Sequence, residues 1–198
     1  MRYNLLVCGV GGQGILLLTR VIGTAAMLEG YTVYTGEVHG MAQRGGSVIS
    51  TVRIGDVYGP IIPYGETDMA ISLERIEILR HLKYLSQKTT VVLSLTEIHP
   101  LSVTLGEAEY PSLEQEIEHL KGSVGEVYII DSYKILKENK LPTITENIVM
   151  LGAAFSTGKL PLKSESLEKA IEENVPQKYL EVNLKAFQAG IDAEKRKI

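Results

Sequence analysis

Apolar residues fall into short continuous runs separated by stretches of helical spacing, and that alternation sets the expected fold. Tyr3 to Cys8 is an apolar run that stops at glycines, and from Ile15 to Leu28 apolar residues recur every three or four positions. A strand, a tight turn and a helix are predicted there. Glu29-Gly30 offers a helix-ending glycine before a β-rich run at Tyr31 to Thr35, so the helix should cross over between parallel strands. Ser47 to Ile54 alternates, with Val48, Ser50, Val52 and Ile54 on one face, and Gly55-Asp56 offers a turn into Val57 to Ile62. This predicts an inserted β-hairpin.

Asp68 to Leu73, Thr90 to Leu95 and Val127 to Ile130 are short, nearly continuous apolar runs of the kind a parallel sheet buries on both faces. Glu74 to Leu85 and Glu114 to Leu120 between them are spaced as helices, and Asp131 stands where the last run ends. Beyond Pro142 the pattern is helical at Ile144 to Phe155, Ser164 to Glu173 and Pro176 to Lys195, with Leu180, Leu184, Phe187 and Ile191 as one stripe. The predicted fold is α/β: a doubly wound, Rossmann-like, mostly parallel sheet with an inserted β-hairpin and a helical C-terminal tail. Residues 1–198 should form one domain, since no repeat or low-complexity linker divides them.

The turn after the first strand reads G-V-G-G-Q-G, from Gly9 to Gly14. A strand before it and a helix after it give the context in which such glycines cradle an anion. Gly9, Gly11, Gly12 and Gly14 let the backbone approach a ligand closely, and the free N–H groups of the next helix point at it. Gln13 adds an amide with both donors and an acceptor. The same glycines would equally make a plain packing turn. The lysine and hydroxyl residue of a P-loop are missing, since Ile15 and Leu16 follow Gly14, so ordinary ATP hydrolysis is disfavoured. Glu37 stands near the place of a ribose-binding acid, which keeps a dinucleotide reading open.

A second constellation, His39-Gly40-Met41-Ala42-Gln43-Arg44-Gly45-Gly46-Ser47, follows the second predicted strand at the edge where open α/β sheets gather ligand contacts. Arg44 is suited to clamp a carboxylate or phosphate in bidentate fashion, Gln43 to hydrogen-bond it, and Gly45-Gly46 to admit a second chain or cofactor. Histidine is the side chain whose ordinary pKa lies near neutrality, and His39 and Arg44 are the candidate catalytic residues. A solvated loop with Arg44 paired to a surface carboxylate is the alternative. Asn147 heads a helical run ending in Gly152-Ala153-Ala154, whose small residues suit close helix packing.

Composition then removes whole classes of partner. A formal net charge of -4 with scattered basic residues gives no footprint for nucleic acid. The single cysteine, Cys8, leaves no disulfide and no iron-sulfur cluster, and His39, His81, His99 and His119 share no ligand spacing, so no metal is expected on this chain. The apolar stretch Ile15 to Met27 is interrupted by Thr19, Arg20 and Thr24, short of the ~18 apolar residues a membrane span needs. Met1 leads straight into a strand pattern without a signal-peptide signature, so a cytoplasmic protein is expected.

The glycine turn at Gly9 to Gly14, together with E-V-H-G-M-A-Q-R-G-G-S-V at Glu37 to Val48, resembles the gamma-type domain of pyruvate/2-ketoacid:ferredoxin oxidoreductases. Within that family the likeness is greatest to indolepyruvate-type beta subunits, and it extends over essentially the whole chain. The resemblance implies oxidative decarboxylation of an aryl 2-oxoacid to its acyl-CoA, with electrons passing to ferredoxin and coenzyme A as co-substrate. It also implies that this chain is inactive alone. Thiamine diphosphate sites in the family carry Gly-Asp-Gly with a downstream asparagine for magnesium, and Gly55-Asp56-Val57 departs from that pattern. Thiamine diphosphate, magnesium and iron-sulfur clusters are therefore expected in a larger alpha-type partner subunit. Gly9, Gly11, Gly12, Gln13, Gly14, Gln43, Arg44, Gly45 and Gly46 are the candidate binding residues, and self-association into a homodimer is a further expectation. Two other readings use the same residues: a stand-alone NAD(P)-binding oxidoreductase and a purely scaffolding subunit.

Overall fold

The computed structural model describes residues 1–40 and 45–198. Seven strands form one sheet in the order β2-β3-β1-β4-β5-β6-β7, with β1 at Arg2–Val10, β2 at Val33–His39, β3 at Ser47–Gly55, β4 at Met69–Ser72, β5 at Thr90–Ser94, β6 at Glu126–Ile130 and β7 at Arg196–Lys197. The centre, β1-β4-β5-β6, is parallel. Both flanks are antiparallel, through β3 with β1 and β2 on one side and β7 with β6 on the other.

Alternation along the central strands divides two apolar layers. Leu5, Val7, Met69, Ile71, Val92 and Ile130 join one core; Leu6, Cys8, Ala70, Val91, Leu93 and Ile129 join the other. The first core is closed by α1 (Ile15–Leu28), α4 (Ser132–Glu138), α5 (Glu146–Phe155), α6 (Ser164–Asn174) and α7 (Gln177–Asp192). The second is closed by α3 (Leu113–Lys121) and a 3-10 segment at Glu77–Tyr84; a short α2 (Leu101–Thr104) lies between β5 and α3. Each of the central strands β1, β4, β5 and β6 thus buries side chains on both faces, as its continuous apolar run requires.

Three expectations are corrected. The hairpin arms are β2 and β3, joined through residues 40–46, and no strand forms over Val57 to Ile62. Arg53 dictates this: its guanidinium donates to the carbonyls of Gly59 (2.9 Å) and Ile61 (2.8 Å), which turns that segment back on β3 as a loop. Within the predicted Glu74 to Leu85 helix the chain forms a 3-10 segment at Glu77–Tyr84 and not an α-helix, and the Glu74 carboxylate accepts from the N–H groups of Ile76 and Glu77 at its start. The last helix stops at Asp192 so that the chain end pairs with β6. The predicted crossover holds in a modified form. β1 and β2 run parallel on either side of β3, which is inserted between them.

In the helical layer α5 and α7 meet through glycines. A Cβ on Gly152 would lie 2.1 Å from the Phe187 carbonyl oxygen, and one on Gly190 would lie 2.0 Å from that of Val149. The two backbones touch, and residues 146–154 are all buried. Phe187, of the predicted stripe, fills the space beside them at 2% exposure; burying such a side chain contributes about 1.5–3 kcal/mol.

Candidate functional site

The strands β1, β4, β5 and β6 end at one edge of the sheet, and the loops that leave them there build the site. At the end of β1, the Gln13 N–H closes a turn on the Val10 carbonyl at 3.1 Å. Gly12 takes φ 109° with open space where a side chain would stand, and Gly14 takes φ 77° as the N-cap of α1. Only glycine adopts such angles without cost. The first N–H groups of α1, which begins at this edge, have no intrahelical partner, as at any helix start.

The Gln13 amide is engaged on both sides. Its Oε1 accepts from the Val10 N–H at 2.8 Å, and its Nε2 donates to the Leu73 carbonyl at 2.6 Å, which ties the end of β1 to the end of β4. Gly9 is required beneath it, since a Cβ there would approach Oε1 to 2.7 Å. Gln13 thus shapes the turn, a role its sequence position did not reveal.

The second glycine motif joins the first through the backbone. The Gly11 N–H donates to the Gly46 carbonyl at 2.8 Å and the Gly45 N–H to the Gly11 carbonyl at 3.2 Å. The two loops do meet at one edge, continuing the β1–β3 ladder one step past Val10 and Ser47. Ser47, the first residue of β3, donates its hydroxyl to the buried Glu77, which Arg80 pairs at 2.9 Å. His39 is the last residue of β2, in register with Val48. Gln43 and Arg44 lie outside the described residues.

Two buried polar clusters back these loops, and spacing gave no signal for either because their members come from separate connections. After β4, Arg75 donates through Nη2 to the Pro111 carbonyl (2.8 Å), lies 3.0 Å from Glu116 and 2.5 Å from Glu97, and stacks 5.1 Å from the Tyr110 ring. Glu74 beside it accepts from the Tyr110 hydroxyl and the Ile98 N–H. The second cluster joins Ser94, Thr96 and Ser132 to the Glu146 carboxyl at the head of α5. Asn147 follows and donates to the Gly14 carbonyl at 3.0 Å. Asp131, noted at the strand end, is the N-cap of α4, accepting from the Lys134 N–H at 3.0 Å.

Burial pushes the Glu116 carboxyl up to about 7 against the opposing pull of Arg75. A carboxyl whose folded value is raised contributes stability below its ordinary value and loses it as pH rises through the folded one. Glu116→Gln cannot ionise. Its melting temperature should therefore gain on wild type between about pH 4.5 and about pH 7 and hold a constant offset above that. Paired thermal melts across this range check it; an offset that shrinks with pH contradicts it.

Glu37 is exposed on β2, two strands from β1 because β3 intervenes, a displacement of about 10 Å at ordinary strand spacing. That geometry weakens the dinucleotide reading. Gly55-Asp56 lies at the opposite edge of the sheet, packed on the chain start: the Asp56 N–H donates to the Met1 carbonyl at 2.8 Å, and a Cβ on Gly55 would fall 1.8 Å from that oxygen. These residues do not fit a thiamine diphosphate–magnesium site. Among the described residues no group of three or more His, Cys, Asp or Glu side chains is placed to hold a metal, and no helix is long and apolar enough to cross a membrane.

Residues 4–193 match the family described as Pyruvate ferredoxin/flavodoxin oxidoreductase. The chain is 42% identical over 194 residues to the indolepyruvate oxidoreductase subunit IorB of Methanothermobacter thermautotrophicus, covering 98% of each. Its fold matches the keto/oxoacid ferredoxin oxidoreductase gamma subunit of Geobacter sulfurreducens with a TM-score of 0.67 at 23% identity, over 96% of both chains. It also matches the 2-oxoglutarate:ferredoxin oxidoreductase of Magnetococcus marinus, solved with 2-oxoglutarate, coenzyme A and succinyl-CoA bound, with a TM-score of 0.70 at 21% identity. That match covers 96% of this chain and 30% of the other.

Proposed function

Since the chain belongs to the pyruvate ferredoxin/flavodoxin oxidoreductase family and is a small subunit of a 2-oxoacid:ferredoxin oxidoreductase, we propose that it serves an indolepyruvate-type enzyme of the cytoplasm and is inactive alone. Thiamine diphosphate, magnesium and iron-sulfur clusters then belong to a larger alpha-type partner subunit. In the assembled enzyme the 2-oxoacid loses carbon dioxide, coenzyme A takes the acyl group, and the released electrons pass to ferredoxin. Residues 1–198 act as one gamma-type domain that completes the active site from one side.

The observation that carries this reading is the backbone pairing of Gly11 with Gly45 and Gly46, which sets two glycine-rich loops side by side at the carboxyl edge of the sheet. There the first N–H groups of α1 suit an anionic group, a coenzyme A phosphate or a substrate carboxylate. Gly9, Gly11, Gly12, Gln13, Gly14, Gly45 and Gly46 form the cradle. Gln43 and Arg44, from the connection between β2 and β3, and His39, at the end of β2, are the side chains we assign to it from sequence.

Indolepyruvate-dependent reduction of a viologen dye, with coenzyme A and thiamine diphosphate, tests the proposal. Turnover should require co-expression with the partner, with the lone chain at background. Turnover by the lone chain, or tight NAD binding by it beside an inert complex, overturns it.

A further inference from the structure

We propose that Asn147 is a positioning residue for the glycine turn, holding the head of α1 in the orientation that receives the anion. The inference rests on the reading that this turn faces a substrate of the complex. Asn147 is 1% exposed in the first turn of α5, where asparagine is a poor helix former and the cap residue Thr145 makes no side-chain cap. Its Oδ1 accepts from the Ile148 N–H at 3.0 Å, which leaves Nδ2 directed out of its own helix, and Nδ2 reaches the Gly14 carbonyl at 3.0 Å. That carbonyl already accepts the Leu18 N–H at 3.0 Å. The asparagine is therefore not needed to satisfy a stranded acceptor. Instead it occupies the second lone pair and sets the direction of the carbonyl, and with it the direction of the neighbouring N–H groups.

The head of α5 is itself fixed to the sheet edge. Oε1 of the buried Glu146 lies within hydrogen-bond reach of the Ser132 hydroxyl (2.8 Å), the Ser94 hydroxyl (3.2 Å) and the Thr96 hydroxyl. Ser94 ends β5, Thr96 follows it, and Ser132 begins α4. A continuous set of contacts thus runs from the ends of β5 and β6 through Glu146 and Asn147 to Gly14, so the turn is referenced to the same edge that carries the rest of the site.

The test uses the assembled complex, with kcat and KM measured separately for coenzyme A and for the 2-oxoacid, alongside subunit stoichiometry and melting temperature. Asn147→Ala should raise the KM of one anionic substrate about tenfold while kcat changes by less than about twofold. Asn147→Asp sets an acceptor against the Gly14 carbonyl and a negative charge beside the anion, so the same KM should rise about a further tenfold. A merely structural asparagine would lower kcat in step with the assembled fraction and leave both KM values unchanged; that result overturns the proposal. If Asn147→Ala does not assemble, Ser132→Ala, which loosens Glu146, should give a smaller rise in the same KM, and an unchanged KM counts against the proposal. Gly12→Ala separates this inference from its premise. A raised KM in Gly12→Ala with unchanged values in the Asn147 variants rejects the positioning role alone, whereas unchanged values throughout reject the ligand-facing turn.

Discussion

Gly190→Ala is expected to destabilise the chain by about 2 kcal/mol or more, lowering the melting temperature by at least about 5 °C. Helix propensity alone predicts the opposite sign, since alanine is favoured over glycine inside a helix by about 1 kcal/mol. Contact geometry decides between them. The new methyl would stand 2.0 Å from the Val149 carbonyl oxygen and 2.9 Å from the Ala153 nitrogen, both backbone atoms that cannot rotate away. α7 would have to move off α5 by more than an ångström, opening the Phe187 packing that both helices share. Gly152→Ala meets the reciprocal contact at 2.1 Å from the Phe187 carbonyl, so the two substitutions together should cost less than their sum, because the first separation of the helices relieves the second. A melt in which Gly190→Ala gains stability would mean that α5 and α7 do not touch as described.

How much of this was legible in the sequence depends on the range of the interaction. The βα alternation and the glycine turn are local patterns, and the runs that begin at Tyr3, Tyr31, Ser47, Asp68, Thr90 and Val127 each became a strand within a few residues of their predicted bounds. The small residues of α5 were read as a packing surface, and Gly152 is one. What escaped was set by partners far along the chain. The Val57 to Ile62 segment was expected as the second hairpin arm, but Arg53 takes two of its carbonyls, and the strand that β3 pairs with lies on its other side in sequence. Glu74 to Leu85 has helical spacing, yet only Glu77–Tyr84 is helical and it is a 3-10 segment, while the buried Glu74 accepts from Ile98 and Tyr110 far along the chain. The candidate site divides the same way. Its glycines were legible because the φ angles at Gly12 and Gly14 exclude other residues, whereas Glu146, Asn147 and Arg75 act through contacts tens of residues away that no motif encodes.

The contact between Gly14 and Asn147 makes the second large effect specific enough to test by pairwise substitution. Gly14→Ala meets two costs at once. Alanine at φ 77° is strained by about 1–2 kcal/mol, and the methyl would sit 2.5 Å from the Asn147 amide nitrogen. Asn147 cannot swing aside freely: it is buried, and leaving its amide unpaired there costs about 1–3 kcal/mol. The turn must therefore shift, carrying the first N–H groups of α1 with it, and kcat/KM of the assembled complex for the anionic substrate should fall by more than about tenfold, equivalent to about 1.4 kcal/mol of transition-state stabilisation. For stability alone, Gly12→Ala is the control for strain without collision, since its φ is 109° but nothing lies within 4 Å of the added carbon. Removing the obstacle should help: Gly14→Ala combined with Asn147→Ala is expected to lose less stability than the two single losses added, by about 1 kcal/mol, leaving the αL strain as the main remainder. Strict additivity in that cycle would locate the requirement for glycine in the backbone angle alone and remove the close approach of α5 as its cause.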